Sequence, residues 1–164
     1  MMDMRTVGKV VKERRKAIGL TQDRLAKLAQ LSRYTVQRLE AGAIKDLSVQ
    51  RVTNLLAVLG FSFDSVTLEA RNKKRGLWMA AKTSSVSYIG DLTEDMLRHI
   101  LATGETPIGY EAHIGHLLDE APVSIVVMAV EEAAHQEHRP PAEIWLNVAK
   151  LANKHSDDRK EIWI

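Results

Sequence analysis

Apolar residues along the first sixty positions recur at helical spacing. Val7, Val10, Val11 and Ile18, with Lys and Arg between them, predict a helix over 5–18. Gly19 follows, where a left-handed residue ends a helix. Thr21 is placed to cap a second helix over 22–29 with Leu25, Ala26 and Leu28 inward. Arg24 stands where a capping box would have Glu, so that box is absent. The turn Gln30-Leu31-Ser32 leads to a third helix over 33–41, with Val36 and Leu39 inward and Gly42 beyond it. Ser48 caps a fourth helix carrying Val49, Val52, Leu55, Leu56 and Leu59 on one face, stopped by Gly60. Two short helices joined by a tight turn form the helix-turn-helix pattern. Periodicity alone describes a generic four-helix bundle equally well.

The pattern then changes. Phe61 to Leu68 alternates and is β-branched, which predicts a strand. Residues 71–76 are a basic hinge, 76–83 are weakly patterned, and 84–89 read as a short strand. Helical spacing returns after Thr93, with Met96, Leu97, Ile100 and Leu101 on one face and Gly104 closing the helix. Further helices are predicted over 110–120, from Pro122 to about His138, and over 142–154. The last carries the stripe Ile144, Trp145, Val148, Leu151 and Ala152. Ile162, Trp163 and Ile164 form an apolar anchor, for this domain or for a partner. The expected fold is mainly α, with a helical bundle over 1–60, a strand and basic linker over 61–83, and a small all-α domain over 84–164.

Charge sharpens this division. Residues 1–75 hold 16 Lys and Arg against 7 Asp and Glu, a net +9, whereas residues 76–164 hold 7 against 14, a net −7. A basic half suits a polyanion, and an acidic half suits a different partner. There is no cysteine, which excludes disulfides and thiolate metal sites and fits a reducing compartment. The first residues lack a signal-peptide pattern, and the longest apolar run, around Val123 to Val130, is too short to span a bilayer. The expected location is the cytoplasm, with no membrane partner.

Candidate chemistry is sparse. All six histidines lie in the second half, and His113/His116 and His135/His138 are each three apart. Such pairs can share a metal, but no H-E-x-x-H accompanies them, the Asp and Glu around them read as helix-surface residues, and His99 and His155 read as surface residues. There is no G-x-S-x-G, no P-loop and no cysteine nucleophile. Ser84, Ser85, Ser87 and Lys82 lack the β-rich domain that self-cleaving repressors need. The chain is read as a non-enzyme without cofactor or metal.

The string from Gly19 to Gly42, GLTQDRLAKLAQLSRYTVQRLEAG, resembles the Cro-type helix-turn-helix family (XRE, λ-repressor-like), which includes phage repressors and many antitoxins. The resemblance covers about residues 5–60. It implies that Gln22 meets a DNA phosphate at a helix N-terminus and that Arg33, Tyr34 and Arg38 read base edges in the major groove. It further implies a contact from Gln37 to a phosphate or an edge base and a structural ion pair between Arg15 and Glu40; Lys45 and Arg14 are candidates for phosphate contacts by their charge. The family usually has Gly where this chain has Gln30, so the turn is expected to carry left-handed strain. In antitoxins of this type a strand after the fourth helix pairs with its twin. Phe61, Phe63, Val66 and Leu68 are therefore expected in a dimer ribbon, with a strand packed in its own chain as the other arrangement. A dimer demands a palindromic operator with half-sites about 34 Å apart. Besides a non-transcriptional scaffold in which the fold serves as a protein-interaction module, against which Arg33 and Arg38 on the recognition face argue, two functions follow. One is a bacterial repressor acting as antitoxin and autoregulator, on the nucleoid when bound, with residues 84–164 holding a toxin. The other is a stand-alone repressor whose second half binds a small ligand or drives oligomerisation.

Overall fold

A computed structural model describes residues 3–61, 75–85 and 90–164. Of the expected dimer strand, Phe63, Val66 and Leu68 lie outside the described residues; Phe61 is half-buried against the core. The bundle consists of α1 (Met4–Ala17), α2 (Gln22–Leu28), α3 (Arg33–Glu40) and α4 (Val49–Val58). The rest is a helical body of α5 (Gly76–Ser85), α6 (Glu94–Thr103), α7 (Glu111–Glu120), α8 (Val123–Gln136), α9 (Pro141–His155) and the short α10 (Lys160–Trp163).

Local chemistry sets most boundaries. Asp3, Thr21, Ser32, Ser48 and Thr93 each accept a hydrogen bond from the amide three residues on, satisfying one of the free donors of a first turn. Gly104 closes α6 at φ 72°. Leu25, Leu39, Leu55 and Leu59 are fully buried in the bundle, as are Leu97, Ile100, Val126, Ile144 and Val148 in the body. These side chains join without a break into one core. Each buried large apolar side chain contributes about 1.5–3 kcal/mol.

Helix α5 occupies the stretch that sequence alone reads as linker and the start of a strand. Its buried face is Gly76, Leu77, Ala80, Ala81 and Ser84. That spacing is helical, but small and polar residues give it almost no apolar signal. The Ser84 hydroxyl donates to the carbonyls of Ala80 at 2.7 Å and Ala81 at 3.1 Å, so a fully buried serine is satisfied within its own helix. The Leu77 amide donates to Glu132 Oε2 on α8 at 2.8 Å, a cap supplied by a residue 55 positions away. A Cβ on Gly76 would lie 2.6 Å from the Met128 carbonyl oxygen, so glycine permits the close crossing of α5 on α8. Ser84 and Ser85 thus end a helix and do not begin a strand; residues 86–89 lie outside the described residues.

The body docks on the bundle through α8, α9 and α10. Gly19, at φ 70°, has the backbone of α9 against it; a Cβ there would meet the Ala142 nitrogen at 2.5 Å. The Trp145 indole N–H donates to the Ile18 carbonyl at 2.8 Å. This pairing satisfies both the polar edge of a buried tryptophan and a free carbonyl at the end of α1.

Candidate nucleic-acid interface

Helix α3 is built with two faces. Val36 and Leu39 have no exposed surface, while Arg33, Tyr34, Gln37 and Arg38 on the opposite side are open to solvent. Ser32 accepts from the Thr35 amide at 3.0 Å, and its hydroxyl pairs with that of Thr35 at 2.8 Å. Thr35 therefore serves the start of the helix. Between α2 and α3 the chain passes through Gln30 at φ 55°. A left-handed non-glycine residue costs about 1–2 kcal/mol. The Leu31 amide returns to the Ala26 carbonyl at 2.8 Å and closes the turn.

On the open face Arg38 is held in place before any ligand arrives. Its Nη1 donates to the Tyr34 hydroxyl at 3.2 Å, its Nη2 to the Ala43 carbonyl at 2.9 Å, and its carbon centre lies 5.5 Å from the Tyr34 ring centroid. Such an exposed cation–π contact contributes about 0.5–1 kcal/mol. The planar fork of arginine matches guanine O6 and N7 in a major groove. Arg33 stands at the start of α3 beside an open depression of about 540 Å³ formed with Gly19, Leu20, Thr21, Gln22 and Asp23. The first-turn amides of α2 border this depression, a combination suited to a phosphate oxygen. Lys45 is exposed in the loop that follows α3, two residues beyond the carbonyl that Arg38 touches.

Arg15 and Glu40 are brought together away from this face. Arg15 Nε lies 2.6 Å from Glu40 Oε1 and Nη2 lies 3.0 Å from Oε2. Their side chains are 11% and 2% exposed, so water does not compete for the pair. The remaining donor, Nη1, reaches the Leu20 carbonyl at 2.7 Å. Gln22 adds a hydrogen bond to Glu40 Oε2 at 2.9 Å. Burial pushes the Glu40 carboxyl up, but the hydrogen bonds from Arg15 and Gln22 and the charges of Arg15 and Lys12 outweigh it and hold the carboxyl below its ordinary value. The pair ties α1 and α3 together, and Gln22 draws in α2. The Gln22 side chain is thereby committed to Glu40.

Arg14 departs from the sequence reading. Its side chain is also only 11% exposed; Nη2 binds Glu131 of α8 at 2.7 Å and Nε donates to the Leu59 carbonyl at 3.1 Å. A guanidinium held this way is turned to the body and already paired. Two further cations of the bundle also face the body: Arg24 donates to the Trp145 carbonyl at 3.2 Å and Lys27 to the main-chain oxygen of Ile164 at 3.0 Å. Sequence reasoning missed both roles, because each partner lies more than 120 positions away. The signal that was present is Trp145, whose indole N–H, placed in an apolar stripe, requires an acceptor.

The histidines do not converge. His113 is buried with Nε2 2.9 Å from the Gly90 carbonyl, whereas His116 Nδ1 lies 3.3 Å from Glu120. His135 and His138 are exposed. His155 is half-buried and reaches Thr106 Oγ1 at 3.1 Å; burial, and beside it Lys154, lowers its imidazole below the ordinary value against the pull of Glu111. Among the described residues no three His, Asp or Glu gather to hold a metal ion, and no described helix is long and apolar enough to cross a membrane.

Residues 11–66 match the helix-turn-helix family model, of the XRE and λ-repressor-like type. No curated protein and no solved structure matches the chain. The matched segment contains α2, the Gln30 turn and α3, so the exposed face of α3 belongs to a DNA-binding domain of the kind found in transcription regulators.

Proposed function

We propose that the protein is a dimeric, sequence-specific repressor that reads a palindromic operator with α3. The observation that carries this reading is the Arg38–Tyr34 pair, displayed on the open side of α3 beside Arg33 and the first turn of α2. In this reading Arg33, Tyr34 and Arg38 contact bases, while Gln37, Lys45 and the amide of Gln22 contact phosphates. Two copies associate so that the two α3 helices lie about one turn of DNA apart. In this reading residues 1–60 serve DNA and the acidic helical body holds a second partner, a toxin encoded with the regulator; the basic character of residues 1–75 and the acidic character of 76–164 support it.

A second reading is a self-sufficient repressor whose body takes a small ligand or self-associates. The continuous core between bundle and body favours it, because a ligand on the body then acts on α3 through rigid contacts. Selection of duplexes from a random pool by the full-length protein tests the common premise. A palindrome with two equal half-sites is the expected product, and an unenriched pool refutes sequence-specific binding. Capture from the native host then separates the two readings: recovery of a neighbouring gene product with the full-length chain supports the toxin partner, and recovery of DNA alone supports the self-sufficient repressor.

A further inference from the structure

Residues 156–164 are attached in an unusual way. Beyond α9 the chain turns outward at Ser156, and Asp119 of α7 gathers it. The Asp119 carboxylate accepts from the Ser156 hydroxyl and from the main-chain amides of Asp157 at 3.0 Å, Asp158 at 3.2 Å and Arg159 at 3.1 Å. The Arg159 guanidinium then donates to the Leu118 and Ala121 carbonyls, both at 2.7 Å, which are free acceptors at the end of α7. This is the first anchor.

Trp163 is the second. It is 1% exposed, its indole N–H donates to the Leu118 carbonyl at 2.9 Å, and its ring stacks on Trp145 at 6.5 Å between centroids and 14° between planes. Trp145 in turn holds Ile18 through its own N–H, and its carbonyl receives Arg24. Asp119 is thus linked through the segment and two stacked indoles to α1 and α2. Between the anchors α10 packs against α2, and Lys27 of α2 donates to the Ile164 main-chain oxygen at 3.0 Å. A cleft of about 370 Å³ is lined by Lys27, Leu28 and Gln30 and by Asp158, Lys160 and Ile162. The segment thus bridges the end of α7 in the body to α2 in the bundle, with a surface cleft beside the contact.

We propose that residues 156–164 form a latch that fixes the angle between the helix-turn-helix bundle and the helical body, so that releasing it redirects α3 without unfolding either part. The consequence for operator binding rests on the DNA reading above; the latch itself does not. Release leaves the bundle tied to the body through Arg14–Glu131, the packing of α4 on α8 and the Gly19 contact.

The absence of cysteine allows a direct test on the full chain. Spin labels at Ala17→Cys on α1 and Asn153→Cys on α9, both exposed, report the distance between bundle and body. The parent protein is expected to give one narrow distance distribution. Trp163→Ala and Asp119→Asn are each expected to broaden or shift it, with helical content retained and hydrogen exchange raised at 156–163. Affinity for the selected operator duplex is expected to fall roughly fivefold or more, the usual scale of coupling between sites. If Trp163→Ala loses helical content, Asp119→Asn, which keeps both indoles, decides. A narrow, unshifted distribution in Asp119→Asn overturns the latch, whether or not exchange at 156–163 has risen. A changed distribution with unchanged operator affinity overturns the coupling to α3. Failure of the parent protein to select any duplex is instead a failure of the DNA reading.

Discussion

The two sides of the bundle carry the same cations in opposite circumstances. On the open side of α3, Arg38 is exposed and held only by a tyrosine and one carbonyl. On the body side, Arg14 is shielded and paired to Glu131, and Arg24 and Lys27 end on main-chain oxygens of the body. Arg15, buried between the helices, is fully committed to Glu40 and Leu20. Residue type therefore does not say which cation is available to a phosphate. Availability is decided by whether an acceptor inside the protein has already displaced water from the guanidinium or ammonium group. The net +9 of residues 1–75 overstates the charge that the α3 side offers.

The largest effect expected from breaking this contrast is at the buried pair. Glu40→Ala leaves the Arg15 guanidinium without its carboxylate and is expected to cost about 3–5 kcal/mol of folding stability in urea titrations. A loss under 1 kcal/mol would mean that the pair is not the joint of the bundle. Its pH dependence has a definite sign. The carboxyl is lowered by folding, so its contribution is present above its unfolded pKa, near pH 4, and is lost as pH falls through the lowered folded value. Acid unfolding of the parent protein should therefore be steeper below roughly pH 4 than that of Glu40→Gln.

Arg38→Ala is expected to leave stability unchanged while costing about 1–3 kcal/mol of binding to the selected operator and relaxing one base position. Equal loss on all sequences would make Arg38 a phosphate contact instead. Trp145→Phe, which keeps an aromatic ring but removes the pyrrole part with its N–H, leaves the Ile18 carbonyl unpaired and a small cavity beside it, and should cost at least about 1–3 kcal/mol of stability. Lys45→Ala is expected to reduce the slope of log affinity against log salt by about 1, and Arg14→Ala not to change it. Equal slopes for the two variants would erase the distinction between the faces. The smallest effect is at the turn. Gln30→Gly relieves the left-handed strain at φ 55° and should stabilise the protein by about 1 kcal/mol or less, since glycine adds entropy to the unfolded chain.

Most of the bundle was legible before the structure. Thr21, Ser32 and Ser48 mark helix starts because a side-chain oxygen satisfies a nearby amide, a relation spanning three residues. Leu25, Val36 and Leu39 mark buried faces because helical periodicity is also local. Helix α5 was not legible, since its face is alanine and serine and its first amide is capped by Glu132. Among the site residues, Arg33, Tyr34 and Arg38 could be placed from their spacing against Val36 and Leu39. Arg14 could not, because its partner is 117 positions distant.

The sequence by itself determined where the bundle helices begin, which side of α3 is apolar, how charge divides between the two halves and the absence of cysteine chemistry. Each of these follows from interactions within a few residues or from composition. Only the tertiary structure decided which cations remain free, that Trp145 and Trp163 stack between bundle and body, and that residues 156–164 are held by Asp119. These outcomes depend on acceptors supplied by distant segments, and a buried donor takes whichever acceptor the packing of those segments brings within reach.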